Sequence, residues 1–197
     1  GNRDLNPQDL NRDGGKIYRL TEDGEIPKDN PFSYQEITKK AIYSFGHRNT
    51  QGMVKHHKTG EIWTHEHGPR GGDEINIIKL NQKEIPNYGW AISSYGEHYG
   101  GANASYNQKT YEKYPLYKSH SDYGFIEPIK YFVPSIGISQ IVGLDKKNHY
   151  VVASLKDSSL YFFELKDNKE VINMKRIEIG ERIIYQTNIK FIRIKLR

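Results

Sequence analysis

Residues 64–76 read Thr-His-Glu-His-Gly-Pro-Arg-Gly-Gly-Asp-Glu-Ile-Asn. The proline and glycines between residues 68 and 72 interrupt any regular helix or strand ladder, so the carbonyl oxygens of this segment are free to face something other than a neighbouring strand. Asp73 and Glu74 follow directly. Calcium prefers carbonyl and carboxylate oxygens, and a chain without cysteine offers no thiolate to a softer metal. The stretch therefore predicts a loop that binds calcium.

Two further clusters flank this loop. Residues 46–52 read Gly-His-Arg-Asn-Thr-Gln-Gly, and residues 87–90 read Asn-Tyr-Gly-Trp. In this order the three clusters closely resemble the soluble aldose sugar dehydrogenases that depend on pyrroloquinoline quinone (PQQ), also called glucose/sorbosone dehydrogenases. The likeness extends to residues 8–10, 15–20, 23–32, 133–137 and 153–156. It covers the chain to about Arg182, so the resemblance rests on many segments rather than on one motif.

The composition favours one globular domain over residues 1–197. A chain of 197 residues with 36% hydrophobic and 12% aromatic content can bury a sizeable core, and its fifteen tyrosines favour β-structure. Since no run of about 18 apolar residues occurs, the sequence predicts no membrane span. The net charge is +5 and the pI is about 9.1. Because the basic residues are scattered among acidic ones, we expect no nucleic-acid partner.

Two segments have the pattern of short strands joined by tight turns. The predicted strands are 53–57, 61–67 and 74–80 in the first segment, and 138–144, 149–155, 160–166 and 171–179 in the second. Such antiparallel series are typical of propeller blades. Because successive strands alternate in direction, the loops after every second strand emerge at the same end. We therefore expect Arg48 and Asn49, the 68–73 loop, Lys156 and Arg182 to lie on one face.

The resemblance implies a six-bladed β-propeller, in which each blade takes roughly 40 to 50 residues. We therefore expect an all-β chain that forms an incomplete portion of such a propeller, about three to four blades. It would be the later portion of a larger protein, with its open strand edges covered by the missing blades or by a homodimer partner. Residues 93–123 are rich in Tyr, Gly, Asn and Ser, which predicts a long insertion over the loop-bearing face or its rim.

The resemblance also implies a cofactor and the residues that bind it. Members of the family oxidise aldose sugars at the anomeric carbon by hydride transfer to calcium-bound PQQ, and an electron acceptor completes the cycle. Arg48 and Asn49 match the residues that donate to the quinone. Arg48 would have the catalytic role, because its guanidinium would stabilise the negative charge that develops on reduction. Lys156 and Arg182 match basic residues that bind PQQ.

Two calcium sites are implied in the same way. The carbonyl oxygens of Gly68 and Pro69 match ligands of the calcium that touches PQQ, where the ion acts as a Lewis acid. Asp73, Glu74 and the carbonyl oxygen of Tyr88 match the ligands of a nearby second calcium.

Some features depart from the family or suggest other chemistry. His65 and His67 have the spacing of a zinc pair on one side of a strand, but no third nitrogen or sulfur ligand follows at a diagnostic spacing. The family's general base is a histidine of an earlier blade, and none of the eight histidines here occupies its motif. Residues 181–185 read Glu-Arg-Ile-Ile-Tyr where the family has Glu-Arg-Ile-Arg-Asp, so a second arginine for PQQ is missing. We therefore expect the isolated chain to be inactive.

Three functions stay open at this point. The first is a calcium- and PQQ-dependent aldose dehydrogenase, periplasmic or secreted as the resemblance implies. The second is a non-catalytic, calcium-binding propeller used as a protein or carbohydrate binding module, which the intact Arg48-Asn49 pair and the calcium loop oppose. The third is binding of an anionic polymer through residues 189–197, which alternate apolar and basic residues, and it predicts a steep salt dependence. The same alternation also fits an edge strand, or a sequence altered by truncation or frameshift.

Overall fold

The computed structural model describes residues 4–34, 39–78, 86–101, 105–144, 148–167 and 169–183. Within these ranges the chain is almost entirely β-structure, in three antiparallel sheets with one short α-helix. The last two residues of the strand predicted at 74–80, and the alternating tail at 189–197, lie outside the described residues. None of the described helices has the length and apolar composition needed to cross a membrane.

The first four-stranded sheet runs in the order β3-β4-β5-β6. Its strands are β3 (Thr50–Lys55), β4 (Ile62–Glu66), β5 (Asp73–Ile78) and β6 (Lys130–Phe132). On β4 and β5, Glu66 lies opposite Glu74, and His65 lies opposite Ile75. Every residue of β5 is buried, because both faces of this strand are covered. We call this sheet the first blade.

The second four-stranded sheet, the second blade, has the order β10-β9-β8-β7. Its strands are β7 (Ile138–Gly143), β8 (His149–Ser154), β9 (Ser159–Lys166) and β10 (Glu170–Glu178). All four agree with the predicted strands to within one residue at each end, since short alternating runs between tight turns are a strong local signal. The prediction of successive antiparallel blades is confirmed.

A two-stranded sheet precedes the blades and consists of β1 (Lys16–Tyr18) and β2 (Ile42–Phe45). Residues 86–88 run along its edge, where the Phe45 amide donates to the Pro86 carbonyl oxygen at 3.1 Å and the Tyr88 amide donates to the Phe45 carbonyl oxygen at 2.9 Å. These hydrogen bonds hold Tyr88 beside β2, and its hydroxyl donates to the Ile77 carbonyl oxygen of the first blade at 2.6 Å.

The described parts of the connection from β5 to β6, residues 86–101 and 105–129, contain the helix α1 (Gln108–Lys113) and contact the β4–β5 loop at one end of the first blade. The backbones of Arg70 and Glu97 form a pair of hydrogen bonds of 2.8 and 3.0 Å, which joins this connection to the β4–β5 loop. Four of its residues form a small apolar cluster of their own: Trp90, Ala91, Tyr114 and Leu116.

The largest hydrophobic core lies between the two blades. Trp63, Ile75 and Ile77 of the first blade meet Ile138 and Tyr150 of the second in one buried cluster. Since side chains alternate along a strand, the neighbours of these residues on β4 and β5 face the other way, toward Tyr88 and the two-stranded sheet.

Candidate cofactor and metal site

Hydrogen bonds link the loops at one end of the two blades. The Gly68 amide donates to Oδ1 of Asp73 at 3.1 Å, and the Gly137 amide donates to Oδ2 of the same carboxylate at 2.7 Å. The Lys156 amide in turn donates to the Ile136 carbonyl oxygen at 3.0 Å. This chain of contacts connects the β4–β5, β6–β7 and β8–β9 loops, so the structure brings Gly68 and Lys156 to the same end.

The segment after β10 lies at this end too. The amides of Ile179 and Gly180 donate to the Ser158 carbonyl oxygen in the β8–β9 loop, at 2.9 and 3.2 Å. The side chains of Lys156 and Arg182 are both exposed. They are therefore accessible from solvent on the loop-bearing face.

Arg48 lies in the β2–β3 loop and contacts the β4–β5 loop directly. Its Nη1 donates to the His67 carbonyl oxygen at 2.8 Å, and its Cζ lies 5.2 Å from the centre of the Trp90 ring, a cation–π distance. Its Nε is buried and has no hydrogen-bond partner among the described residues. A buried donor of a guanidinium without a partner is costly, which is typical of a site that binds an acceptor.

A buried carboxylate, Glu66, fixes the backbone at Arg48 and Asn49. Its Oε2 accepts hydrogen bonds from the Arg48 amide at 2.7 Å and the Asn49 amide at 3.3 Å. Its Oε1 accepts one from Nδ2 of Asn76 at 2.9 Å and lies 3.3 Å from Nδ1 of His47, whose Nε2 is 2.8 Å from Oγ of Ser44. Burial alone would raise the pKa of Glu66, but His47 and the two amides more than offset it and hold this pKa below its ordinary value.

Glu74, directly opposite Glu66, has fewer partners. Nδ2 of Asn76 donates to its Oε2 at 3.3 Å, and Nε2 of His120 lies 3.4 Å from its Oε1. Burial raises the pKa of Glu74. The other ring nitrogen of His120 lies 3.1 Å from the Tyr88 carbonyl oxygen, so the ring stands between Tyr88 and Glu74.

The carboxylate of Asp73 belongs to the opposite face of β5. It accepts hydrogen bonds from the amides of Gly68, Gly137 and Ile138 and from Oγ of Ser135. The structure therefore does not bring the predicted second-calcium ligands Asp73, Glu74 and Tyr88 together. The physical reason is the strand itself, because consecutive side chains on β5 point to opposite faces.

The Gly68–Pro69 turn does present carbonyl oxygens that could act as calcium ligands. Among the described residues, no amide or side chain donates to the carbonyl oxygens of Gly68 or Pro69. A side chain at Gly68 would clash with the carbonyl oxygens of Gly71 and Gly72, so the turn is closed tightly by glycine. Two neighbouring carbonyl oxygens without donors fit a hard cation such as calcium.

A small cavity lies where the β2–β3 loop, the β4–β5 loop and the β5–β6 connection meet. The volume open to the centre of a water molecule is about 10 Å³, space for roughly one water or one ion of similar size. Its lining includes Arg48, Gly68, Glu74, Tyr88 and His120. Four of the nine residues predicted for the site thus share one cavity.

The two histidines considered for zinc are not brought together with a third ligand. His65 is buried and faces Gly52 on β3, and burial lowers its pKa to about 4. Within the described ranges, no group of three or more His, Cys, Asp or Glu side chains has the arrangement of a metal site.

Sequence reasoning missed Glu66 and His120. Glu66 could have been found, because the strand alternation places it with Glu74 and Asn76 on one face. His120 has no such local signal, since its position depends on the path of the whole β5–β6 connection.

Comparison with known proteins identifies the fold. The glucose/sorbosone dehydrogenase profile matches residues 1–185. The aldose sugar dehydrogenase YliI of Escherichia coli K12 is 34% identical over 168 residues, which cover 82% of this chain and 42% of that protein. A crystal structure of a glucose dehydrogenase superposes with a TM-score of 0.76 at 32% identity, over 92% of this chain and 50% of the other.

A PQQ-bound aldose sugar dehydrogenase from Streptomyces coelicolor also superposes, with a TM-score of 0.60 at 26% identity, over 89% of this chain and 43% of the other. The chain therefore spans about two fifths of the curated relative and about half of the glucose dehydrogenase structure. The predicted all-β propeller portion is confirmed. With a profile match over most of its length, the chain belongs to the glucose/sorbosone dehydrogenase family.

Proposed function

We propose that the chain is the cofactor-binding part of a calcium- and PQQ-dependent dehydrogenase that oxidises aldose sugars at the anomeric carbon. The observation that carries the proposal is the shared cavity: Arg48, with its buried and unpartnered Nε, lines it together with the Gly68 turn. When bound, PQQ accepts the hydride of the sugar, and calcium polarises the quinone as a Lewis acid.

The residues of this chain bind and orient the group. The carbonyl oxygens of Gly68 and Pro69 would hold the cation, as hard oxygen ligands. Arg48 and Asn49 would donate to the quinone oxygens, with their backbone fixed by Glu66. Between Trp90 and the His67 carbonyl oxygen, the Arg48 guanidinium has little freedom, so little ordering is required when the cofactor binds.

Two exposed cations, Lys156 and Arg182, would complete the binding face for the carboxylates of PQQ. None of the histidines of this chain is assigned as the general base that removes the sugar hydroxyl proton. An aldose, an electron acceptor and a periplasmic or secreted location belong to the same proposal.

The test uses the full-length protein with calcium, PQQ and a series of aldoses, and follows reduction of a dye. We expect sugar-dependent reduction, and a loss of about 100-fold in kcat for Arg48→Lys, as for removal of one donor to a developing negative charge. Arg12→Lys, an exposed arginine near the N-terminus, is the matched control and should keep full activity.

Bound PQQ without any sugar-dependent reduction would refute the enzymatic proposal. Calcium binding without PQQ binding would instead favour the non-catalytic module.

A further inference from the structure

His120 occupies the position between two groups that the family resemblance assigns to one calcium ion. Its Nδ1 is 3.1 Å from the carbonyl oxygen of Tyr88, and its Nε2 is 3.4 Å from Oε1 of Glu74. The side chains of His120 and Glu74 are only 2% and 8% exposed, so the contact is shielded from solvent. The ring therefore stands directly between these two oxygens.

The ring is held firmly in this position. Glu127 accepts hydrogen bonds at its Oε1 from the amides of His120 and Ser121, both at 2.8 Å. Its Oε2 accepts one from the hydroxyl of Tyr95 at 2.7 Å, and the Tyr95 ring packs against His120 at 5.4 Å. With Oγ of Ser121, which donates to Oε1 at 3.1 Å, Glu127 is engaged by four donors, and it fixes the backbone that presents the ring.

The pocket around the ring is shaped for it. Gly89 has a positive φ of 85°, and a side chain there would contact the ring of Phe125 and Nδ1 of His120 at 2.9 to 3.1 Å. The absence of a side chain at this position lets the imidazole approach the backbone of Tyr88.

The two carboxylates of residues 73 and 74 already accept hydrogen bonds, whereas Oδ1 of Asn76 and Oγ1 of Thr64 are buried without a partner among the described residues. Asp73 faces away on the other side of β5 and accepts four hydrogen bonds. The second oxygen of Glu74 accepts from Nδ2 of Asn76 at 3.3 Å. Calcium takes six to eight oxygen ligands, so the Tyr88 carbonyl, Oε1 of Glu74 and the two unpartnered oxygens would not complete its shell.

We propose that His120 takes the place of the second calcium ion: the imidazole joins the Tyr88 carbonyl to the Glu74 carboxylate, so that the protein binds no divalent cation at Glu74. The inference stands on the contacts of His120 and does not require the PQQ-linked calcium at Gly68 and Pro69.

The first test counts calcium bound to the full-length protein, by equilibrium dialysis and atomic emission, with and without PQQ. Glu74→Gln keeps the size of the side chain and removes the charge. We expect it to bind the same number of calcium ions as the unsubstituted protein. A count lower by one would overturn the inference. Failure of the proposed function would appear separately, as absence of PQQ binding.

The second test remains informative if Glu74→Gln does not fold. His120→Ala removes the ring and leaves an ion-sized space beside Glu74 and the Tyr88 carbonyl. We expect one additional calcium ion in this variant, and a melting temperature that rises on addition of calcium.

The matched control is His98→Ala, because His98 is another buried histidine of the β5–β6 connection, with its Nε2 2.8 Å from the Tyr114 carbonyl oxygen. It should bind as much calcium as the unsubstituted protein. A calcium count in His120→Ala equal to that of the control would contradict the inference.

Discussion

The two faces of the first blade are built from alternate residues of the same strands, yet they differ in kind. One face carries Trp63, Ile75 and Ile77 and packs against the second blade. The other carries Glu66 and Glu74, both buried, and faces the cavity. The first face is stabilised by the burial of apolar surface, whereas the second depends on individual hydrogen bonds that compensate the burial of charge.

This difference separates stability from function within a single sheet. Substitutions on the face toward the second blade should change the free energy of unfolding and leave the cavity intact. Substitutions on the cavity face should cost less stability and act locally on Arg48 and its neighbours. The following predictions test this division.

The largest effect is expected for Trp63→Ala on the apolar face. Trp63 is fully buried, and its ring stacks on Tyr150 of the second blade at 5.4 Å. Removing it leaves a cavity between the blades and should cost about 4 kcal/mol of unfolding free energy, measured by urea denaturation. Met53→Ala, at an exposed position of β3, is the control and should stay within about 0.5 kcal/mol. A loss below about 2 kcal/mol for Trp63→Ala would show that the blades are not joined through this core.

The same face also contains a buried titratable side chain, His65. Burial lowers its pKa to about 4, against an ordinary value of 6.5. The unfolded chain binds the proton more readily than the folded protein does. The free energy of unfolding therefore keeps its full value, as far as His65 is concerned, above pH 6.5 and decreases as the pH falls toward 4. The loss should reach about 3 kcal/mol at about 1.4 kcal/mol per pKa unit.

Urea denaturation across this pH range measures the effect. His65→Leu should remove most of the slope, whereas His57→Gln, at an exposed histidine, should keep it. An unchanged slope in His65→Leu would mean that another buried group dominates the acid response.

The strands themselves could be predicted from sequence, because alternation and tight turns are local signals. β7 to β10 were within one residue of prediction. β6 has only three residues and no pattern of its own, and it forms because the open edge of β5 provides a partner beyond a long connection. No local rule could locate it.

For the site, the positions of the loops could be predicted from sequence, but not every side chain that meets there. Strand parity correctly predicted that the loops of Arg48 and Gly68 meet at one end. The pairing of Asp73 with Glu74 on one calcium was not consistent with the structure, because β5 begins at Asp73 and its side chains alternate from that residue. His120 depends on a long-range chain path, which a single sequence does not specify.

Asp73→Asn should be moderately destabilising and leave the cavity face unchanged. Oδ2 of Asp73 accepts hydrogen bonds from two amides and from the hydroxyl of Ser135. In asparagine an NH₂ group can stand at this position, and it cannot accept these hydrogen bonds. We expect a loss of about 2 kcal/mol in the free energy of unfolding, measured by urea denaturation.

Glu74→Gln, one residue along, should cost less than about 1 kcal/mol, since burial raises the pKa of Glu74 and a neutral side chain is tolerated there. Equal losses in the two variants would remove the distinction between the faces.

A smaller change in stability than for Asp73→Asn is expected for Glu66→Gln, with a local consequence at the proposed cofactor site. Glu66 uses Oε2 for the amides of Arg48 and Asn49 and Oε1 for Asn76. Glutamine has only one side-chain oxygen. Either the two loop amides or Nδ2 of Asn76 must therefore lose its acceptor, which should cost about 1 kcal/mol of local stability.

The amides of Arg48 and Asn49 should then exchange hydrogen with solvent about five times faster, as about 1 kcal/mol of local opening implies, with little change in the urea midpoint. Glu74→Gln is the control, because Glu74 accepts nothing from this loop and its substitution should leave both exchange rates unchanged. If exchange at Arg48 and Asn49 instead follows global unfolding in Glu66→Gln, the carboxylate stabilises the whole blade, and the cavity face contributes to stability in the same way as the apolar one.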